Sequence, residues 1–287
     1  MSINNFIPTI WSARFQDVLR KAQVFGSLAN RDYEGEIAQY GDSVKINGIG
    51  DINVADYTKN STTITFQGLE DASQTLVINQ SKYFAFEIDD IDKAQQNPKI
   101  MELAMSRAAY HVRDVMDLYL SGLYAGAGVV GGLGTTATPL AITAAASTGG
   151  NTSVFELFSK ISKGLDEANV PLEGCYVVVP PWLHQKIVLA QASNFNVSGD
   201  AIGNGFVARM WGFNVYMSNN VSQLTGAKYK VLAGTTAAIT LAEQIVSVEA
   251  LRRESSFRDA VKGLHVYGAK VVQPNALACA TVTEGVS

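Results

Sequence analysis

The chain has 287 residues, of which 47% are hydrophobic and 17% are charged, and its formal net charge is −4. A chain of this length and apolar content can bury a hydrophobic core, which excludes global disorder. Because the acidic and basic residues are spread without long runs, the sequence also lacks the basic footprint of a sequence-specific nucleic-acid-binding protein.

The cysteines and the N-terminal residues bear on the cellular setting. Cys175 and Cys279 form no CxxC pair, which argues against a zinc site or a disulfide framework and fits a reducing compartment. The first ten residues lack the basic and apolar runs of a signal peptide. No window approaches the roughly 18 uninterrupted apolar residues of a membrane span, so we expect a soluble protein without a membrane partner.

The first predicted element is an amphipathic helix that begins near Pro8 and ends near Gly26. Trp11, Phe15 and Val18 recur at helical spacing on its apolar side. Packing on its own domain and packing on a neighbouring subunit fit this pattern equally well.

The pattern then changes to short, strand-like runs separated by turn residues, which predicts one or more antiparallel hairpins. A two-stranded ribbon is only marginally stable alone, so we expect these runs to find a packing partner elsewhere. The runs are residues 43–47, 62–67, 75–79 and 83–88.

The strongest helical pattern covers residues 98–124, a helix of roughly 40 Å that we interpret as a structural spine. Arg113 and Asp117 are predicted on its polar face, with Glu102 and Ser106. Its apolar stripe consists of Met101, Met105, Ala108, Val112, Val115 and Tyr119.

Residues 122–150 are rich in Gly, Ala and Thr, and we interpret them as a flexible crossing at a domain boundary. Ser153 and Glu156 then have the spacing of a capping box, which predicts a helix N-terminus. Alternating elements follow and predict an α/β layer: a helix to about residue 169, a strand at 175–179, a helix at 181–192, and strands at 213–217 and 229–232.

The last predicted elements are strands that we expect to return to the first domain. They cover residues 245–251, 264–272 and 276–282.

Residues that could support chemistry are present but poorly arranged. Gly126, Gly128 and Gly131 match the GxGxxG dinucleotide fingerprint, yet they follow a helix and open none, which favours a linker. Cys175 with His184 could form a nucleophile and base, but Cys175 heads an apolar strand, where a buried inert thiol is the default.

Metal binding has equally weak support. The histidines have no ligand spacing; they are His111, His184 and His265. A short acidic cluster lacks the spacing and the glycine of a calcium loop and is better explained as favouring a helix N-terminus; it contains Asp89, Asp90 and Asp92. We therefore expect no catalytic residue, no bound metal and no cofactor.

Five local phrases occur in an order that resembles the Hong Kong 97 fold family of tailed-phage major capsid proteins over essentially the whole chain. An arm at residues 6–25 is followed by YGDSVKI at 40–46, which is similar to the strand that opens the family's extended loop. KYFAFEIDDID at 82–92 resembles its return strand, and the helix from Pro98 its spine helix. ESSFRDAVKGLHVYGAKVVQP at 254–274 resembles the strand that runs back alongside the spine.

The resemblance implies an α+β fold with five parts. These are an N-terminal arm (1–39), an extended β-hairpin loop (40–85), a peripheral domain with the long spine helix (86–134), a central α/β axial domain (135–243) and return strands of the peripheral domain (244–287).

It also implies a non-enzymatic protein of the virion, assembled in the bacterial host cytoplasm. Hexamers and pentamers of the chain would form an icosahedral head shell around double-stranded DNA, which the chain would approach without sequence specificity. Expected partners are a portal protein, a possible decoration protein and, since no charged coiled-coil segment precedes the arm, a separate scaffolding protein. Candidate subunit-interface residues are Trp11, Phe15, Asp56, Tyr57, Lys59, Arg252, Arg253 and Arg258.

Two other functions stay open at this stage. An encapsulin-like compartment would have the same fold, and genome neighbours would separate the two: portal and terminase genes for a phage, a cargo enzyme for a compartment. More remotely, an α/β enzyme could use the loop from Gly126 to Gly131, but nothing supplies its catalytic groups.

Overall fold

A computed structural model describes most of the chain, and all structural statements below refer to the part it describes. That part comprises residues 24–32, 43–46, 54, 56, 58–59, 66, 73–89, 100–144, 150–171, 173–194, 209–252 and 258–285. The predicted N-terminal helix lies outside it, except for its last residues.

In the described residues, helices and strands alternate from residue 152 to residue 194, and the elements from residue 209 onward are strands apart from one 3-10 turn. The helices are α1 (Phe25–Leu28), α2 (Ile100–Ser121), α3 (Val154–Glu167) and α4 (Pro181–Asn194), with 3-10 turns at Gly122–Gly126 and Pro274–Ala276. The strands are β1 (Ser43–Ile46), β2 (Gln74–Val77), β3 (Gln80–Asp89), β4 (Leu140–Thr143), β5 (Thr152–Ser153), β6 (Tyr176–Val179), β7 (Arg209–Met210), β8 (Phe213–Met217), β9 (Gln223–Leu224), β10 (Lys228–Gly234), β11 (Ile239–Arg252), β12 (Arg258–Val271) and β13 (Leu277–Glu284).

A mixed sheet forms the centre of the molecule. Its strand order is β5-β4-β13-β10-β6-β8-β7, and β9 pairs with β10. Strand β10 is antiparallel to both β13 and β6, whereas β4 and β13 are parallel, as are β6 and β8. The predicted α/β layer is therefore present.

Both faces of the central sheet are buried, which explains the continuous apolar runs in its strands. On one face, Val177 and Val231 pack against α3 and α4 in a first core. On the other face, Val178 and Leu232 pack against α1 and α2 in a second core. Neighbouring residues of one strand thus serve different cores.

Helix α3 begins and ends where its sequence predicts. The Oγ of Ser153 accepts a hydrogen bond from the backbone N–H of Glu156 at 3.1 Å, which is the capping interaction expected from the Ser-x-x-Glu spacing. The helix is followed by Asn169 in the left-handed region at φ 59°. Val154, Leu157, Phe158, Ile161 and Leu165 form its buried face, as predicted.

A second, antiparallel sheet has the order β11-β12-β3 and lies between two layers. On one face, Leu241 and Tyr267 join the second core beneath α2. On the other face, Ala242 and Val266 contact the hairpin formed by β1 and β2, in a third core that also contains Val44, Ile46, Leu76 and Ile78. The base of the predicted hairpin therefore packs within its own subunit.

The long helix α2 is present as predicted and ends at Ser121, and its buried face was predicted in part, since Met105, Ala108, Val112 and Tyr119 of the predicted stripe pack in the second core. The buried apolar residues are Ala109, Val112, Met116 and Leu120. Val115, expected in the stripe, is 40% exposed, whereas Arg113 and Asp117, expected in solvent, are only 8% and 4% exposed. For Asp117 the reason is that residues 24–26 pack on this side of α2 and donate hydrogen bonds to its carboxylate.

The predicted flexible crossing is also wrong for residues 122–144. Val129 forms a parallel bridge with Ala278, Leu133 is fully buried, and β4 is a strand of the central sheet. Small side chains here permit close packing rather than motion, since a Cβ on Gly126 would lie 2.8 Å from Val271. Residues 145–149 lie outside the described part.

Two strands differ from the grouping expected from sequence. Strand β3 is continuous across the expected boundary between residues 85 and 86 and pairs with β12 along its whole length. Strands β12 and β13 were grouped together, but β12 belongs to the three-stranded sheet and β13 to the central one. Residues 277–284 thus join the α/β layer, because β10 offers them an antiparallel partner.

The glycines of the GxGxxG match provide a test of this packing. A Cβ on Gly128 would lie 2.8 Å from the carbonyl carbon and oxygen of Pro274, whereas a Cβ on Gly131 would meet nothing within 4 Å. We expect Gly128→Ala to lower the free energy of unfolding by about 1–3 kcal/mol through overpacking. Gly131→Ala is the matched control and should change it by less than about 0.5 kcal/mol. Equal effects in urea unfolding would contradict the packing role.

Candidate functional site

The residues considered for nucleophilic chemistry do not form a reactive centre. Cys175 is buried, and its Sγ lies 3.3 Å from the carbonyl oxygen of Pro171, to which it donates. Burial, with a smaller contribution from Asp166, raises the pKa of this thiol. A raised pKa disfavours the thiolate that a nucleophile needs. The second cysteine, Cys279, is also buried, and burial raises its pKa to about 11.

The three histidines lie in different environments. His111 is on the exposed side of α2, with its ring edge against Tyr110 at 5.8 Å between centroids. His184 belongs to α4, on the opposite side of the central sheet. His265 is 1% exposed and its Nε2 lies 3.3 Å from Oε2 of Glu243. Within the described residues, no group of three His, Cys, Asp or Glu side chains could hold a metal ion.

The segment between β1 and β2 exposes large apolar side chains. Ile46 and Gln74 are partners in the hairpin, so the two residues that flank residues 47–73 lie side by side. Val54 and Phe66 are each 97% exposed. We call residues 47–73 the excursion. Both side chains are available for contact with another molecule.

Two further surfaces expose apolar residues. The outer side of α2 carries Tyr110 and Leu118, which are 58% and 57% exposed. At the β7 edge of the central sheet, Trp211 is 52% exposed at the tip of the turn that joins β7 to β8. Trp211 and Gly212 have φ values of 54° and 87°, the conformation of a tight hairpin turn.

The predicted interface residues fall into three groups. Asp56 and Lys59 lie in the excursion and are exposed. Arg252 is exposed near the end of β11, whereas Arg258 forms an ion pair with Glu87 of β3 at 2.6 Å. The remaining ones lie outside the described residues; they are Trp11, Phe15, Tyr57 and Arg253.

The hydrogen bonds that Asp117 and Glu243 accept from residues 24–32 were not predicted from the sequence. Asp117 of α2 accepts hydrogen bonds from the backbone N–H groups of Val24 at 3.2 Å and Gly26 at 3.4 Å. Glu243 of β11 accepts one from Nη1 of Arg31 at 2.5 Å. These carboxylates hold residues 24–32, which we call the anchor segment. Periodicity could not reveal them, because it assigns an Asp or Glu to solvent unless a nearby partner is known.

The two carboxylates differ in their electrostatics. Burial raises the pKa of Asp117, and the backbone N–H groups of residues 24–26 only partly offset this effect. Burial also opposes ionisation of Glu243, but His265 and Arg31 outweigh it, so the pKa of Glu243 lies below its ordinary value of 4.5. Of these two carboxylates, Glu243 is the one whose ionisation stabilises the folded state.

The lowered pKa of Glu243 predicts a pH-dependent contribution to stability. An acid with a depressed folded-state pKa stabilises above its unfolded-state pKa, and this contribution is lost as the pH falls through the folded-state value. We expect Glu243→Gln to lower the free energy of unfolding by about 1 kcal/mol at neutral pH, with the difference shrinking below the ordinary pKa of 4.5. Urea unfolding of both proteins across this range measures it.

Glu249→Gln is the matched control, since Glu249 pairs with Lys262 at 2.8 Å on the same strand but is half-exposed. Exposed pairs contribute about 0–1 kcal/mol, so this variant should differ little from the native chain at any pH. A Glu243→Gln difference that stays constant with pH would contradict the assigned ionisation.

Comparisons with known proteins find phage capsid proteins that are similar to this chain in sequence and in fold. A family model for phage capsid proteins matches residues 73–280. A solved structure from Mycobacterium phage Che8 is 28% identical with a TM-score of 0.73, and the match covers 90% of each chain. The capsid structure of the Cyanophage P-SCSP1u is 18% identical with a TM-score of 0.65, covering 92% of this chain and 89% of that one.

The asymmetric unit of the bacteriophage PhiM1 mature capsid is 12% identical with a TM-score of 0.63, covering 91% and 87%. A comparison with curated protein sequences gives no match. No helix of the described residues is long and apolar enough to cross a membrane. The expected α+β class is confirmed, and the chain belongs to the phage capsid protein family, with the Hong Kong 97 capsid fold.

Proposed function

We propose that this protein is the major capsid protein of a tailed bacteriophage, and that its hexamers and pentamers form the icosahedral head shell around double-stranded DNA. Family and fold point to a structural protein of the virion capsid. The observation that supports the assembly role within the chain itself is the excursion, whose Val54 and Phe66 are almost fully exposed.

The excursion is unfavourable for an isolated subunit. Burying a large apolar side chain stabilises by about 1.5–3 kcal/mol, and neither Val54 nor Phe66 gains this within the described part of its own subunit. A neighbouring copy of the chain can cover both. In a closed shell every subunit has such a neighbour, so each excursion is covered and no exposed apolar surface is left over.

The two sheets have separate roles in this proposal. The central α/β layer meets its equivalents around the hexamer and pentamer axes, and the exposed turn with Trp211 at its β7 edge supports such a contact. The three-stranded sheet and α2 form the periphery, from which the excursion and the N-terminal arm reach neighbours.

The remaining roles follow from charge and chemistry. With a net charge of −4, the chain meets packaged DNA without sequence specificity and largely through counterions. It catalyses no reaction in this proposal, in keeping with the buried thiol of Cys175 and its raised pKa. Assembly takes place in the host cytoplasm with a separate scaffolding protein and a portal protein, and a decoration protein is a possible later partner.

Replacing the excursion with a two-residue Asn-Gly turn tests the assembly role. The turn joins Ile46 directly to Gln74, which are already paired, so β1 and β2 and their core contacts are retained. We expect a folded subunit with an unchanged circular dichroism spectrum that forms no shells. Negative-stain microscopy and size-exclusion chromatography of the co-expressed chain and its adjacent scaffolding gene measure this.

Two variants control for the length of the excursion and for general surface effects. Phe66→Ser keeps the length and removes one exposed apolar side chain, and it should reduce shell yield without lowering the melting temperature. Lys163→Ser changes a residue of α3 whose side chain is 74% exposed and should leave assembly unchanged. Normal shells from the chain without its excursion would overturn the proposal.

A further inference from the structure

We propose that Asp117 and Glu243 are positioning residues for assembly, which hold the anchor segment so that the N-terminal arm leaves the subunit in one fixed direction. The inference rests on the proposed function, because an arm direction matters only if the arm contacts a neighbouring copy. It concerns residues 24–32, the described part of the arm predicted at residues 1–39.

The first attachment is made by α2. Both carboxylate oxygens of Asp117 are used, Oδ2 for the N–H of Val24 and Oδ1 for the N–H of Gly26. These are N–H groups at the start of α1, which have no acceptor inside that short helix. Phe25 and Leu28, 3% and 7% exposed, enter the second core from the same turn.

The second attachment is made by β11. The N–H of Asn30 donates to the carbonyl oxygen of Ile239 at 2.8 Å, and the N–H of Leu241 donates to the carbonyl oxygen of Asn30 at 2.9 Å. The next residue, Arg31, then reaches Oε1 of Glu243. The anchor segment thus runs from the helix to the sheet and is fixed at both ends.

Arg31 also connects the two attachments. Its Nε donates to the carbonyl oxygen of Gly26 at 3.1 Å, while its Nη1 donates to Glu243. The same guanidinium therefore braces the C-terminal side of α1 against β11. Movement of either attachment requires breaking a hydrogen bond at this arginine.

Stability alone does not account for the buried carboxylate on α2. The desolvation of Asp117 exceeds what its hydrogen bonds return, as its raised pKa indicates. Phe25 and Leu28 already supply apolar burial at this contact. What a carboxylate adds is direction, because two hydrogen bonds to N–H groups of one turn, those of Val24 and Gly26, fix the path of the chain where apolar contacts would tolerate sliding.

Asp117→Asn is the sharpest test. Asparagine has nearly the same volume but only one acceptor oxygen, so one of the two N–H groups loses its partner and faces an amide N–H₂. Asp114→Asn is the control for charge, since it removes the same charge from the same helix, and within the described residues the hydrogen bonds to Val24 and Gly26 come from Asp117. Because Asp114 raises the pKa of Asp117, this variant favours the ionised form of Asp117 and leaves its hydrogen bonds in place. Both proteins are compared as full-length chains.

Release of the anchor is measured on the unassembled subunit by chymotryptic cleavage after Phe25, which is protected while its side chain is buried. Losing a hydrogen bond to a charged group should make cleavage about 10- to 100-fold faster in Asp117→Asn, with no change in Asp114→Asn. Shell diameter and yield are then measured by negative-stain microscopy, and we expect aberrant or fewer shells from Asp117→Asn only.

Arg31→Met removes the hydrogen bonds to Glu243 and to the carbonyl oxygen of Gly26 but leaves Asp117 in place. It therefore tests the inference even if Asp117→Asn fails to fold. Unchanged cleavage after Phe25, or shells of native diameter and yield despite faster cleavage, would overturn the positioning role. Failure of the native chain to form shells would instead refute the proposed function, so the two failures are distinguishable.

Discussion

The burial of both faces of the central sheet is the constraint on which the rest of the molecule depends. In β10, Val231 and Ala233 pack into the first core, while Leu232 between them packs into the second. The second core also receives Leu241 and Tyr267 of the three-stranded sheet. The two sheets and α2 therefore share one apolar interior, so displacing one layer exposes surface in the others.

The elements that share this interior form a packed body, which differs in exposure from the excursion and from the turn at Trp211. Most large apolar side chains of the described body are buried, with exceptions such as Tyr110 and Leu118 on α2, whereas Val54, Phe66 and Trp211 are exposed. For a soluble monomer such surfaces and open strand edges promote aggregation. In the proposed shell a neighbouring copy of the chain covers each of these surfaces.

Local features were predictable from the sequence where one short pattern decides the structure. The Ser153 cap, the buried face of α3 and the strand at β8 were found because capping and alternation act over a few residues. Pairing between distant strands was not: β13 joins β10 only because the fold brings them together. Sequence periodicity contains no information on such partners.

Two errors have a specific physical origin. A mobile linker and a closely packed crossing can have the same composition, rich in glycine and alanine. The approach of Gly128 to Pro274 in the structure distinguishes the two. Asp117 was assigned to solvent because carboxylates are usually exposed. Its acceptors serve N–H groups more than ninety positions earlier in the chain, so no local pattern could place it in the interior.

The three-stranded sheet also sets the relative positions of the anchor segment and the β1–β2 hairpin, because the two pack on its opposite faces. Glu243 points to the α2 side and holds the anchor segment, while its neighbour Ala242 points to the excursion side and contacts β1 and β2. In the register, Ala242 is opposite Gly268 and Glu243 is opposite Tyr267. A slip of one residue would exchange the two faces. A Cβ at Gly268 would also lie 3.0 Å from Ile78, so this glycine admits β2 and the hairpin at that level. The register of β11 on β12 thereby fixes which face of the sheet carries the anchor segment and which carries the β1–β2 hairpin.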